Sequence, residues 1–187
     1  MKKLDVLERY SRDAVGRTLI DVAAERAEDL YSNFDRSAPY VRRDLDPDLV
    51  EYLTECAREL GQEPFAIRFT LALPPDEERR GRIRRSVNSF FLYLVDVERR
   101  NIRQMMFRSL VFLLIGLAIL FCALSLNQWL GEERSVIANV FAEGLIVAAW
   151  VSLWEALATF LIEWFPHRKN VALYRHLAAA ELLFRAG

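Results

Sequence analysis

Three carboxylates stand where carboxylates are costly. Glu143, Glu155 and Glu163 interrupt the stretch from Ser135 to Phe165, which carries no other charge. An ionised acid near the middle of a hydrocarbon layer costs roughly 3 kcal/mol or more, so such a group faces water, a counter-ion or another chain, or keeps its proton. Glu155 and Glu143 are therefore the candidate ion or proton sites. Glu163 adjoins Trp164, at an interface where it stays hydrated. Glu155 is the deepest of the three if Trp164 marks the inner headgroup level. Ser152 and Thr159 share its helical face and would line the same path in an oligomeric pore. The plainer reading is a protonated or Arg-paired glutamate that fixes helix packing.

Other chemistries find less support. Asp44, Asp46 and Asp48 alternate like part of a calcium loop, but Pro47 and the missing glycine break that pattern, and they read better as capping acids. Cys56 and Cys122 fall in different segments and imply no disulfide framework. His167 and His176 lack the neighbouring ligands of a metal site. Gly-rich phosphate loops, nucleophile elbows and His-Glu zinc motifs do not occur. The sequence thus predicts a non-enzyme without cofactor, metal or nucleic-acid partner.

The segments that must position these acids are set by how charge is sorted. Almost every charge lies before Ser109 or after Phe165, as in proteins that divide themselves between water and lipid. Residues 109–126 form an uncharged apolar run of the length that crosses a bilayer. Arg108 and Trp129 flank it as interfacial anchors. Residues 127–134 are a short loop containing Gly131, which makes the flanking helices antiparallel. Residues 135–165 form a second, longer helix that Pro166 is expected to end. Arg99, Arg100, Arg103 and Arg108 precede the first span, and Arg168 and Lys169 follow the second. The loop holds only Arg134, so both termini are expected in the cytoplasm and the loop outside.

Two seams suit close helix approach. Gly144, Ala148, Ser152, Glu155 and Thr159 recur at spacings of three and four on one face of the second helix, opposite a bulky aromatic face. Ser109, Gly116 and Ala123 recur every seven residues on the first. Both sets are expected to pack helices, within the hairpin or between protomers.

Residues 1–75 read as a small α/β domain. Its first 63 residues carry a net charge of −5. Asp46 caps a helix that starts at Pro47 and stops at Gly61. Phe65 to Leu73 alternates as a half-buried strand, beside a second strand from Arg17 to Val22. Ala23 to Phe34 favours helix. Two strands alone are marginal, and a strand from a second protomer would cover the open edge. Residues 76–108, net +4, form a basic amphipathic stalk helix with Ile83, Val87, Phe90, Leu94 and Val97 on its apolar face. Its Arg79, Arg80, Arg82, Arg84 and Arg85, with Arg108, Arg168 and Lys169, are candidates for lipid-headgroup contact. Residues 166–187 are expected to hold a short amphipathic helix from Val171 to Phe184. Met1-Lys2-Lys3-Leu4-Asp5 opens on charge, with no apolar region of a signal peptide.

The stretch Asp29-Leu30-Tyr31-Ser32-Asn33-Phe34-Asp35-Arg36-Ser37-Ala38-Pro39-Tyr40, then Arg43-Asp44-Leu45-Asp46, resembles a widespread group of uncharacterised bacterial membrane proteins. So does the second span, from Glu143-Gly144 through Trp150-Val151 to Glu163-Trp164-Phe165-Pro166. The resemblance implies a bacterial inner-membrane protein of this layout and implies no activity.

The fold expected is a mainly α membrane protein. It comprises a two-helix transmembrane hairpin and a small N-terminal β-α-β-α cytosolic domain whose last helix continues into the first span. The function expected is a membrane scaffold that self-associates and docks a protein partner. The alternative is a small oligomeric channel with Glu155 in its pore.

Overall fold

The computed structural model describes residues 8–32, 43–73, 75–129 and 136–187. Residues 130–134 of the expected outer loop, the whole Asn33–Tyr40 stretch and residues 1–7 lie outside these. The described chain is mainly helical, with a small sheet and two helices long and apolar enough to cross a membrane. Chain contacts divide it into two compact units, Met1–Val97 with Asn170–Gly187, and Glu98–Lys169. The first unit is thus larger than residues 1–75, because it takes in the start of the stalk helix and the end of the chain.

The first unit is built on a four-stranded sheet in the order β1-β2-β3-β4. Strand β1 (Ser11–Arg12) runs antiparallel to β2 (Thr18–Ala24), and β2 runs parallel to β3 (Phe65–Leu71). Between β2 and β3 lie a 3-10 turn, Ala27–Leu30, and helix α1, Pro47–Leu60. As expected, Asp46 accepts hydrogen bonds from the Asp48 and Leu49 amides, Pro47 opens the helix, and Gly61 ends it at φ 66°. The expected helix over Ala23–Phe34 reduces to the 3-10 turn, because β2 runs on to Ala24 to pair with Leu71.

Three expectations change here. Strand β3 is buried on both faces for much of its length. Ala66 is as inaccessible as Ile67, whereas Leu73 lies beyond the strand and is exposed. A central strand between parallel neighbours loses the clean alternation of a half-exposed one.

The second correction concerns the C-terminus. Helix α4 (Trp164–Ala179) stops at Ala179, and residues expected to continue it form β4, Glu181–Ala186. Leu182 is buried 3% exposed, and Phe184 packs against the same core, in stacked contact with Phe69. Strand β4 lies parallel to β3. The chain itself therefore covers the edge that was left for a second protomer, and that reason for self-association falls away.

The third is in the stalk. Helix α2 runs unbroken over Glu77–Trp129, with the Asp76 carboxylate accepting from the Arg79 amide at 2.8 Å. Its buried stripe is Ile83, Val87, Phe91 and Val95, with Phe90 and Leu94 only half-buried. A stripe spaced by four follows the i, i+4 ridge of a helix lying on a sheet, not the 4-3-4-3 seam of a coiled coil.

In the second unit, α2 is joined by helix α3, Val136–Ala158, followed by a π turn over Thr159–Glu163 that leads into α4. Pro166 therefore does not end the second helix. The wider π turn separates the pyrrolidine ring from the carbonyl it would strike one α-turn back, and the helix continues through it.

Candidate functional site

Small residues decide how the two apolar helices meet. The Ser109 hydroxyl donates to the Ala156 carbonyl at 2.8 Å. One heptad along α2, a side chain at Gly116 would stand 3.0 Å from Leu153 Cγ and 3.2 Å from its backbone nitrogen. A rising position on α2 meets a falling one on α3, so the helices are antiparallel. Carrying the Ser109–Ala156 register by sevens sets Gly116 level with Ala149 and Ala123 level with Ala142. All four are buried, Ala123 and Ala149 to 1% and 0% exposure.

The stripe expected to pack helices, within the hairpin or between protomers, lies mostly outside the contact within the hairpin. Gly144 and Ala148 are exposed, and a Cβ at Gly144 would meet nothing within 4 Å. Ser152 is half-buried and turns its hydroxyl back to the Ala148 carbonyl at 3.0 Å. Thr159 alone of that stripe is buried, at the start of the π turn. Sequence reasoning missed the Ala142–Ala149–Ala156 seam. Its only signal is a seven-residue spacing equal to that of Ser109, Gly116 and Ala123, in a helix rich in alanine.

The same register sets the acids at different levels of the first apolar run. Glu155 lies level with Leu110, at the very start of the first apolar run. Arg108 Nη2 approaches its carboxylate at 3.9 Å while stacking over Phe112. Glu143 lies level with Cys122, about four residues from the middle of the run or ~6 Å along the axis. It is exposed. The side chain of Glu163 is outside the described residues.

At the base of this unit, His167 Nδ1 lies 2.6 Å from a Glu98 carboxylate oxygen that is mostly buried. Glu98 and His167 are 69 positions apart, and neither carries a sequence signal that pairs them. Arg168 stacks over Trp164 at 4.8 Å, and Trp164 on Phe160. Lys169 is exposed.

The other headgroup candidates belong to the first unit and are less free than their spacing suggests. Arg80 donates to the Pro75 carbonyl and reaches Glu77. Arg82 lies 3.9 Å from Glu78. Arg84 approaches Glu77 and the Leu182 carbonyl and covers the Phe184 ring. Arg85 donates to the Gly81 carbonyl. Arg79 is exposed. Most of this positive charge is thus spent within the helix or against β4.

On the sheet face opposite the helices, Arg68 grips Asp21 through Nε and Nη2, at 2.5 and 2.8 Å, and reaches the Ser11 hydroxyl. The Arg68 hydrogen bonds hold the Asp21 carboxyl below the usual carboxylate range. The parallel register that sets residue 21 beside residue 68 creates this pair.

No family model, curated protein or solved structure matches the chain.

Proposed function

We propose that this chain is an integral membrane scaffold: α2 from Ser109 and α3 cross the inner membrane as a hairpin, and the sheet unit docks a protein partner on the cytoplasmic side. One observation carries the reading. The apolar windows of the two long helices are only 11% and 17% buried by the rest of the chain, so neither is the core helix of a soluble domain. Leu114, Phe121, Phe141, Trp150 and Trp154 are each more than half exposed, a cost in water that contact with lipid would remove. Strand β4 supports an even number of crossings. The chain leaves the sheet after β3 and re-enters it beside β3, so both ends of the apolar pair belong on one side. The Arg and Lys excess at those ends favours the cytoplasm.

Self-association is part of the proposal. Glu143 is exposed and the Gly144–Ala148 face is open, and an acid turned to lipid favours a second chain. The channel reading is the alternative. It is weakened by the Arg108 guanidinium beside Glu155, which supplies a counter-ion without a pore.

The test has three arms. Carbonate washing leaves the chain in the membrane fraction. Native mass in detergent gives a small oligomer. Proteoliposomes loaded with a pH dye show no proton flux. Release by carbonate would overturn the membrane assignment, and flux lost in Glu155→Gln would install the channel.

A further inference from the structure

We propose that a groove on the sheet unit is the docking site for a basic amphipathic helix of a partner protein. The inference rests on the docking function proposed above and names the chemistry of the partner. The groove, about 570 Å³, lies between α1, the start of α2 and the end of α4, all within the first unit. Its floor is apolar and aromatic: Val50, Phe90, Leu94 and Tyr174, each only half-buried against the core. Tyr93 stands at its side with 54% of its surface open.

The wall sets the sign of the partner. Glu51, Glu55 and Arg58 follow one another at i, i+4 and i+7 along α1, and Asp44 stands near its start. Among the described residues that line the groove, three carboxylates stand with one guanidinium. Glu51 and Glu55 pair with no cation among the described residues, whereas the acids on the opposite sheet face and on the stalk, Asp21, Glu77 and Glu78, are matched by arginines. An apolar trough beside the unpaired Glu51 and Glu55 suits an amphipathic helix that presents leucines to the floor and lysines or arginines to the rim. Anionic headgroups would be repelled. Among its described residues a second copy offers no such helix: the exposed side of its basic segment is arginine, and its apolar side, Ile83 and Val87, is already buried.

The probe is a synthetic peptide of about 18 residues, with leucine at i, i+3, i+4 and i+7 and lysine elsewhere. It is titrated onto the full chain in nanodiscs of zwitterionic lipid, with empty nanodiscs as the baseline. Saturable, salt-sensitive binding is expected, weakened at least about tenfold in E51K/E55K, where two attractions become repulsions. The same peptide with glutamate for lysine is expected to fail on the native chain and to bind the reversed variant. Tyr93→Ala weakens both pairs. Equal binding to empty nanodiscs, indifference to the charge swap, or an oligomer that dissociates in E51K/E55K would each overturn the proposal, the last by giving the groove to a second copy. Carbonate extraction is read separately, so loss of the membrane assignment and loss of the groove are distinguishable.

Discussion

The Ser109 hydroxyl sits on the Ala156 carbonyl at 2.8 Å, and this one bond fixes which residues of two apolar helices share a level. It places Gly116 at the closest approach and leaves Gly144 in open space.

The two glycines should therefore answer differently to the same change. Gly116→Leu drives a side chain into Leu153 and its backbone, and is expected to destabilise the hairpin by about 1–3 kcal/mol or more. Gly144→Leu meets nothing in its own chain. It should leave hairpin stability in detergent unchanged while reducing the oligomer. Thermal unfolding and native mass on both variants separate the effects, and equal loss of stability would contradict the register.

Arg108 and Glu155 are both largely exposed, so their attraction is modest, on the order of 1 kcal/mol or below in water. Arg108→Gln leaves Glu155 without its cation at the edge of the apolar run. Insertion or yield of that variant should fall, and Arg108→Gln with Glu155→Gln should recover it. No recovery in the double variant would show that the pair does not matter to the fold.

Asp21 provides a pH signature. Its folded-state pKa is depressed by Arg68, so its contribution is present above the unfolded carboxylate value and is lost as pH falls through the folded one. Denaturation of the full chain should show Asp21→Asn less stable at pH 7 by about 1 kcal/mol or less, the size of a half-exposed pair. The gap should close progressively below about pH 4. A gap that widens in acid would exclude this role.

Leu182 tests the corrected C-terminus. It is 3% exposed in β4, and Leu182→Ala is expected to destabilise the sheet unit by about 2–4 kcal/mol. Hydrogen exchange should then rise in β3 as well as β4, while membrane extraction stays the same. A C-terminal segment that is exposed and unpaired would show neither change.

Elements specified by their own residues were legible in the sequence. Asp46, Pro47 and Gly61 mark a helix by capping chemistry alone, and the two apolar runs declare themselves by length. The Ser109–Gly116–Ala123 seam was legible because small residues are scarce around it. On the partner helix alanines are common, and the Gly144 stripe drew the eye away from Ala142, Ala149 and Ala156, which only the partner's register singles out. Strand β4 was hidden for a related reason. Leu182 and Phe184 fit either period, and what decides between them is an open edge on β3, which lies far away in sequence. The Glu98–His167 and Asp21–Arg68 pairs likewise exist only once distant segments are brought together.

That fourth strand also has a consequence for biosynthesis. Ala66 and its partner Glu181 are more than a hundred positions apart, with both apolar helices made between them. At 5–20 residues per second, the ribosome leaves the flank of β3 uncovered for roughly 6–23 s. During that interval the half-made domain presents a bare row of amides and carbonyls to its surroundings, so the nascent chain is most exposed to aggregation, and to chaperones, while its apolar helices are being made.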